Sequence, residues 1–277
     1  LSSFGFSFSK NLGQNFLINP NVCPQMAELS GCEGIGVLEI GPGMGVLTTE
    51  LCKRAKKVVA IEVDERLRPV LDITLKEFDN VNVIFGDAMK LDLHKIIETE
   101  FAGMDVVVCA NLPYYITSPI LMRLLESELN INSITVMVQK EAADRLCAEV
   151  GSRDGGAVTV AVSYYSESEK LFFVPRDSFL PPPKVNSEVI QLTVRKEPPV
   201  KVANEDAFFK VVLTGLQSGN PRAIGFIYKN EAGNNKRDKY VNSVDEVERI
   251  TSMDFFSALP DDVERYVESE YNLSDWP

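Results

Sequence analysis

Short runs of Val, Ile and Leu recur along the first two-thirds of the chain with amphipathic segments between them, and this rhythm restricts the fold more than any other feature. The runs are GVLEIG (36–41), KVVAIEV (57–63), NVNVIFGDA (80–88), MDVVVCANL (104–112), SITVMVQK (133–140), TVAVSYY (159–165) and SEVIQLTVR (187–195). Nearly continuous apolar runs, as at 57–63 and 104–109, suit strands covered on both faces. Helical stretches at 46–55, 65–78, 91–100 and 118–129 supply the covers. The pattern predicts an α/β chain with a mostly parallel sheet, to which the last two runs add antiparallel strands, seven in all.

The rhythm breaks at KEPPVKVANED (196–206), where paired prolines and charges intervene. Beyond it the chain reads as helical: AFFKVVLTGL, a Gly- and Asn-rich stretch, then SVDEVERI and FFSALPDDVERYVESEY. Two domains are expected, 1–196 carrying the sheet and 197–277 forming a small all-helical domain.

Several chemistries are poorly supported from the outset. The five cysteines (Cys23, Cys32, Cys52, Cys109, Cys147) are scattered without a CxxC pair, which fits neither a disulfide framework nor a zinc site. A reducing, cytoplasmic setting and no metal are the expectation. No apolar run approaches the roughly 18 residues of a membrane span, and no leader is recognised at the start. His94, the single histidine, sits in a polar LDLHKII context and reads as a solvated helix residue, so a histidine base is not expected. The formal net charge of −12, taken over the whole chain, argues against a general binder of polyanions. Its distribution is uneven: residues 1–196 carry −6, residues 197–244 carry +2, and residues 245–277 carry −8. The excess acid is concentrated at the C-terminal end, so the whole-chain figure does not describe the rest.

Three strand ends carry the chemistry. Glu39-Ile40-Gly41-Pro42-Gly43-Met44-Gly45 closes one strand and opens a helix, and its glycines permit a tight turn and close approach to a ligand. The spacing is G-x-G-x-G rather than the G-x-G-x-x-G of dinucleotide sites, which favours S-adenosylmethionine over NAD. Glu62 ends the next strand, placed to accept from both ribose hydroxyls, and Asp87, followed by Ala88, ends the third, placed to accept from an adenine amino group. Each acid alone reads as a solvated strand end; in series they describe an adenosyl pocket.

The fourth strand ends in Asn111-Leu112-Pro113-Tyr114. An exocyclic amine on adenine or cytosine has its lone pair delocalised into the ring. Acceptors aimed at its two protons draw it toward the tetrahedral geometry needed for attack on a sulfonium methyl. The Asn111 side-chain oxygen and the Leu112 carbonyl, placed before a Pro that lacks an N–H, are such acceptors. Tyr114 follows as a ring on which a flipped base could stack. No base of raised pKa is needed, so the scarcity of histidine is no obstacle.

Together FSKNLGQNFL (8–17), EIGPGMGVLT, IEVD (61–64), GDA (86–88), NLPYYITSPI, VQKEAADRL (138–146) and FLPPPKV (179–185) resemble the rRNA adenine N6,N6-dimethyltransferase family, of the KsgA type that acts in small-subunit ribosome biogenesis. The resemblance spans about residues 6–195 and implies a class I, Rossmann-like methyltransferase fold. It implies that Asn15, Leu17, Gly41, Gly43, Glu62, Asp87, Ala88 and Asn111 contact S-adenosylmethionine. Asn111, Leu112 and Pro113 would face the target amine, with Tyr114 and Phe179 on either side of the flipped adenine. The Pro-Pro-Pro after Phe179 would hold that ring stiffly as an exposed platform at the pocket mouth. Lys10, Arg145, Arg153 and Lys184 are candidates to meet phosphates. The implied reaction is dimethylation of two adjacent adenines near the 3′ end of 16S rRNA, by a monomer acting on the immature small ribosomal subunit.

One stretch departs from the pattern. Where the family carries a basic tract, the chain reads Gln217-Ser218-Gly219-Asn220-Pro221-Arg222-Ala223-Ile224, with one Arg. Two alternatives stand beside the first reading: a macrolide-resistance type of large-subunit rRNA adenine methyltransferase, and a ribosome-assembly binding factor with vestigial methylation. An NAD-dependent oxidoreductase is more distant, since NLPY has no part in hydride transfer.

Overall fold

The computed structural model describes residues 16–114 and 116–200, together with 202, 205, 208 and 209. Lys10, Asn15, the 217–224 tract and nearly all of the stretch 197–277 expected to form a helical domain lie outside the described residues. The chain divides into two compact units, one of residues 1–147 with 166–195, the other of 148–165 with 196–277.

The first unit is built on β2 (Gly36–Ile40), β3 (Lys57–Glu62), β4 (Val81–Phe85), β5 (Val106–Asn111), β6 (Ser133–Gln139), β7 (Ser166–Val174) and β9 (Ser187–Val194), in the order β4-β3-β2-β5-β6-β9-β7. Neighbours from β4 to β6 are parallel, and β9 runs antiparallel to both β6 and β7. The central strands are buried along nearly their whole length, as their unbroken apolar runs require. Covering helices are α1 (Val22–Leu29), α2 (Val46–Cys52), α3 (Arg68–Thr74), α4 (Leu93–Phe101), α5 (Thr117–Glu126) and α6 (Lys140–Leu146). Met26 and Ala27 of α1 and Leu51 of α2 pack with Val37, Val58 and Val107 in one core. Leu71 of α3 packs with Leu67 and Leu75 against Val83 and Phe85. His94 is exposed on α4, as expected.

A short ribbon stands apart from the sheet. β1 (Phe16–Leu17) pairs antiparallel with β8 (Phe179–Leu180), setting Leu17 opposite Phe179. The backbone N–H of Ile18 extends the contact by donating to the Ser178 carbonyl at 2.8 Å.

One strand assignment is corrected. TVAVSYY (159–165) is helical, within α7 (Ala157–Tyr165), and the strand it was expected to form is β7, the next nine residues SESEKLFFV. The helix buries Thr159, Val160, Ala161, Val162 and Tyr164, and apolar residues on all sides erase the 3.6-residue period. In this second unit Tyr164 and Tyr165 donate their hydroxyls to the two oxygens of Glu205, and their rings pack on Phe208 and Phe209.

Candidate active site

The strand order reverses at β2, whose neighbours β3 and β5 are reached by connections leaving in opposite directions, and an open α/β sheet has its natural crevice at the carboxyl ends of such strands. A cavity of about 380 Å³ lies there. Its wall is drawn from the ends of β2, β3, β4 and β5 and from the β1–β8 ribbon: Gly41, Glu62, Asp87, Asn111 and Phe179 all line it.

After β2 the chain turns through Gly41 (φ 72°) and Gly43 (φ 57°), left-handed positions that only glycine takes without strain. A Cβ at either would meet no atom within 4 Å, so both backbones face open space. The turn is fastened to the adjacent strand. Gly41 N–H donates to the Ile61 carbonyl at 2.9 Å, and Gly43 N–H to Glu62 Oε2 at 3.0 Å.

Glu62 is buried, and its other oxygen, Oε1, accepts from the Asp64 N–H at 2.8 Å. Burial raises its pKa, while the N–H bonds from Asp64 and Gly43 pull the other way by stabilising the anion. Each oxygen keeps a lone pair beyond the one its N–H uses, so a pair of hydroxyls in the cavity can be received without displacing either bond.

Glu39 is the more unusual acid. It is 1 % exposed, its Oε2 has no hydrogen-bond partner among the described residues, and it borders the cavity together with Cys23. Burial pushes its pKa up to about 8; the nearby Thr48 hydroxyl lowers it somewhat, without a bond of good geometry, and the Glu62 charge raises it further. The shift favours the neutral carboxylic acid over the carboxylate. All five cysteines are free, and burial foremost holds Cys23 and Cys52 up to about 12, so both remain thiols.

At the β4 end, Asp87 heads a turn in which its Oδ1 accepts from the Met89 N–H at 2.9 Å, and Ala88 is buried beside it. Asn111, half-buried, closes β5; Leu112, Pro113 and Tyr114 follow along the same wall. The Tyr114 hydroxyl and Ser187 Oγ are 2.8 Å apart, and burial raises the phenol pKa. This bond joins the segment after β5 to the first residue of β9.

The structure thus gathers Leu17, Gly41, Gly43, Glu62, Asp87, Ala88, Asn111, Leu112, Pro113, Tyr114 and Phe179 around one cavity. Phe179 differs from expectation in one respect: it is 3 % exposed and packed into the core cluster rather than standing out as a platform. Pairing of β8 with β1 covers it. Arg145, Arg153 and Lys184 are exposed and do not line the cavity. Residues not anticipated include Val63, 57 % exposed on the wall next to Glu62, and Ser187 behind Tyr114. An apolar residue left exposed at a strand end between two acids was a readable signal for Val63; nothing local marks Ser187.

A seven-stranded sheet of this order, with a glycine turn after its switch-point strand and an acid closing the next, defines a class I, Rossmann-like methyltransferase. The chain belongs to the ribosomal RNA adenine dimethylase family, whose model matches residues 5–258. It is accordingly an rRNA adenine dimethyltransferase. Among curated relatives, the ribosomal RNA small subunit methyltransferase A of Geobacillus thermodenitrificans is 47% identical over 250 residues, covering 89% of this chain and 85% of the relative. The protein of the same name from Geobacillus sp. (strain WCH70) is 51% identical over 216 residues, covering 76% and 74%. Among solved structures, a dimethyladenosine transferase from Plasmodium falciparum has a TM-score of 0.58 at 26% identity, covering 93% of this chain and 90% of that one. The 23S rRNA methyltransferase ErmE has a TM-score of 0.62 at 29% identity, covering 74% and 80%.

Proposed function

We propose that the cavity binds S-adenosylmethionine and that the enzyme dimethylates N6 of two adjacent adenines near the 3′ end of small-subunit rRNA. The observation that carries this reading is that Glu62 and Asn111, from strands on opposite sides of β2, line one cavity. Glu62 would take the ribose hydroxyls on its remaining lone pairs, Asp87 and Ala88 the adenine edge, and Val63 the adenine face. The open backbones of Gly41 and Gly43 leave room where side chains would otherwise fill the cradle. Leu17 and Asn111 would close the reactive end, with Asn15 as a further contact. When bound, the cofactor supplies a methyl group made electrophilic by a sulfonium.

The chain's own part is to orient the amine and shed water. The Asn111 side-chain oxygen and the Leu112 carbonyl accept its two protons and draw the lone pair out of conjugation. Tyr114, its hydroxyl held on Ser187, and Phe179, held in the core, bracket the adenine ring. The attached proton leaves to water after transfer, so no residue need act as base.

The small-subunit substrate is favoured over the large because the relatives at 47% and 51% identity carry the small-subunit name, against 29% for the 23S enzyme. Lys10, Arg145, Arg153 and Lys184 would meet phosphates, and a cytoplasmic monomer with residues 197–277 aiding RNA binding completes the reading. Purified protein with labelled S-adenosylmethionine and immature small subunits should place label in dimethyladenosine. No label in RNA, with cofactor bound normally, would overturn it.

A further inference from the structure

The turn that follows β4 is gripped by a side chain that methyl transfer does not call on. Arg123, on α5, donates from Nη1 to the Met89 carbonyl at 2.7 Å and from Nη2 to the Leu91 carbonyl at 2.7 Å. Its Nε is buried with no hydrogen-bond partner among the described residues. Both bonds go to backbone rather than to a carboxylate, so the guanidinium fixes the path of a main chain.

The path it fixes is that of Asp87. Inside the turn, the Lys90 and Leu91 N–H groups donate to the Asp87 carbonyl at 2.8 and 3.0 Å, and Met89 N–H to Asp87 Oδ1. Leu91 also packs tightly on Gly86: a Cβ there would lie 3.0 Å from Leu91 Cδ1. Arg123 therefore bonds to the middle and the end of the turn while Asp87 holds its start. The same α5 begins three residues after Tyr114, and Ile120 of that helix lines the cavity with Asp87.

We propose that Arg123 is a positioning residue: by clamping the 89–91 backbone to α5 it aims Asp87 at the adenine end of the cofactor. The proposal rests on the reading of Asp87 given above. A residue that only stabilised the fold would affect the whole domain, whereas the clamp acts on one turn and one end of the ligand.

The test uses the full chain with Arg123→Met, which keeps an apolar stem, and Arg123→Lys, which keeps the charge but loses the fork. Hydrogen exchange is followed by mass spectrometry, and binding of S-adenosylhomocysteine is compared with that of its 6-oxo analogue, S-inosylhomocysteine, which lacks the amino group. In Arg123→Met, exchange should quicken in peptides over 86–92 and not over β2 or β5. The Kd for S-adenosylhomocysteine should rise about tenfold, and the preference over the inosyl analogue should vanish; Arg123→Lys should fall between. Unchanged exchange at 86–92, a Kd within twofold of the parent, or faster exchange throughout the domain would each overturn the proposal. Asp87→Ala is run in parallel. If it keeps the preference for the amino ligand, the Asp87 reading fails on its own, and local exchange and S-adenosylhomocysteine affinity still decide Arg123.

Discussion

Glu39 is where a single residue's environment has a consequence for the whole pH profile. With its folded pKa raised by burial from 4.5 to about 8, the native protein holds between these values a proton that the unfolded chain has released. Stability from this group is therefore fully present below pH 4.5 and is lost as pH rises through about 8. Glu39→Gln, neutral at every pH, should flatten the decline between pH 5 and 8.5 in urea unfolding; parallel curves for parent and variant would show that Glu39 does not titrate there. Tyr114 and Ser187 offer a second residue-scale test. Removing either hydroxyl should cost about 0.5–1.5 kcal/mol of ring positioning, roughly two- to tenfold in kcat/KM for RNA, with cofactor affinity unchanged. Because the two atoms share one bond, Tyr114→Phe combined with Ser187→Ala should be no worse than either alone. Additive losses would separate them. The sequence made Tyr114 legible through its place in NLPYY, but Ser187 lies 73 residues away and meets it only when β9 enters the sheet beside β6.

At the scale of elements, the parallel core was legible because its strands are buried on both faces and their residue types say so. KVVAIE and VVVCAN are strands in the register that puts Glu62 and Asn111 at the crevice. TVAVSYY misled for the same reason, since an all-apolar helix and an all-apolar strand have the same local pattern. The true strand, SESEKLFFV, is polar where it lies at the sheet edge, and pairing with β9 rather than composition makes it a strand. Phe179 shows the limit again: proline stiffness was readable, the covering β1 partner was not. How tightly elements are fitted can be tested at the start of β2. A Cβ on Gly36 would sit 2.5 Å from Phe101 Cδ1 on α4, and Phe101 is 1 % exposed with little room to yield. Gly36→Ala should lower stability by about 1–3 kcal/mol. Denaturant midpoints unchanged from the parent would mean that α4 shifts freely on the sheet.

Over the whole molecule, charge is the property on which sequence and function pull in different directions. A net charge of −12 opposes RNA, yet residues 197–244 carry +2 and the last 33 residues alone carry −8. RNA affinity should therefore depend on where cations sit rather than on the total. Near 217–224 the chain has the single Arg222 in place of a basic tract, and each missing phosphate contact removes about 0.7–0.9 from the slope of log affinity against log salt. Binding to small-subunit rRNA, measured from 50 to 300 mM salt, should accordingly show a shallow slope. Ser218→Arg with Asn220→Lys should steepen it by roughly 1.4–1.8 and tighten binding at low salt, if that stretch faces the backbone. Neutralising two acids in the 245–277 segment, Asp261→Asn with Asp262→Asn, adds the same charge to the molecule at a different place. Equal gains from both pairs would make net charge the controlling quantity; a gain from 218 and 220 alone would fix RNA recognition to the tract that the family resemblance marks and this chain has thinned.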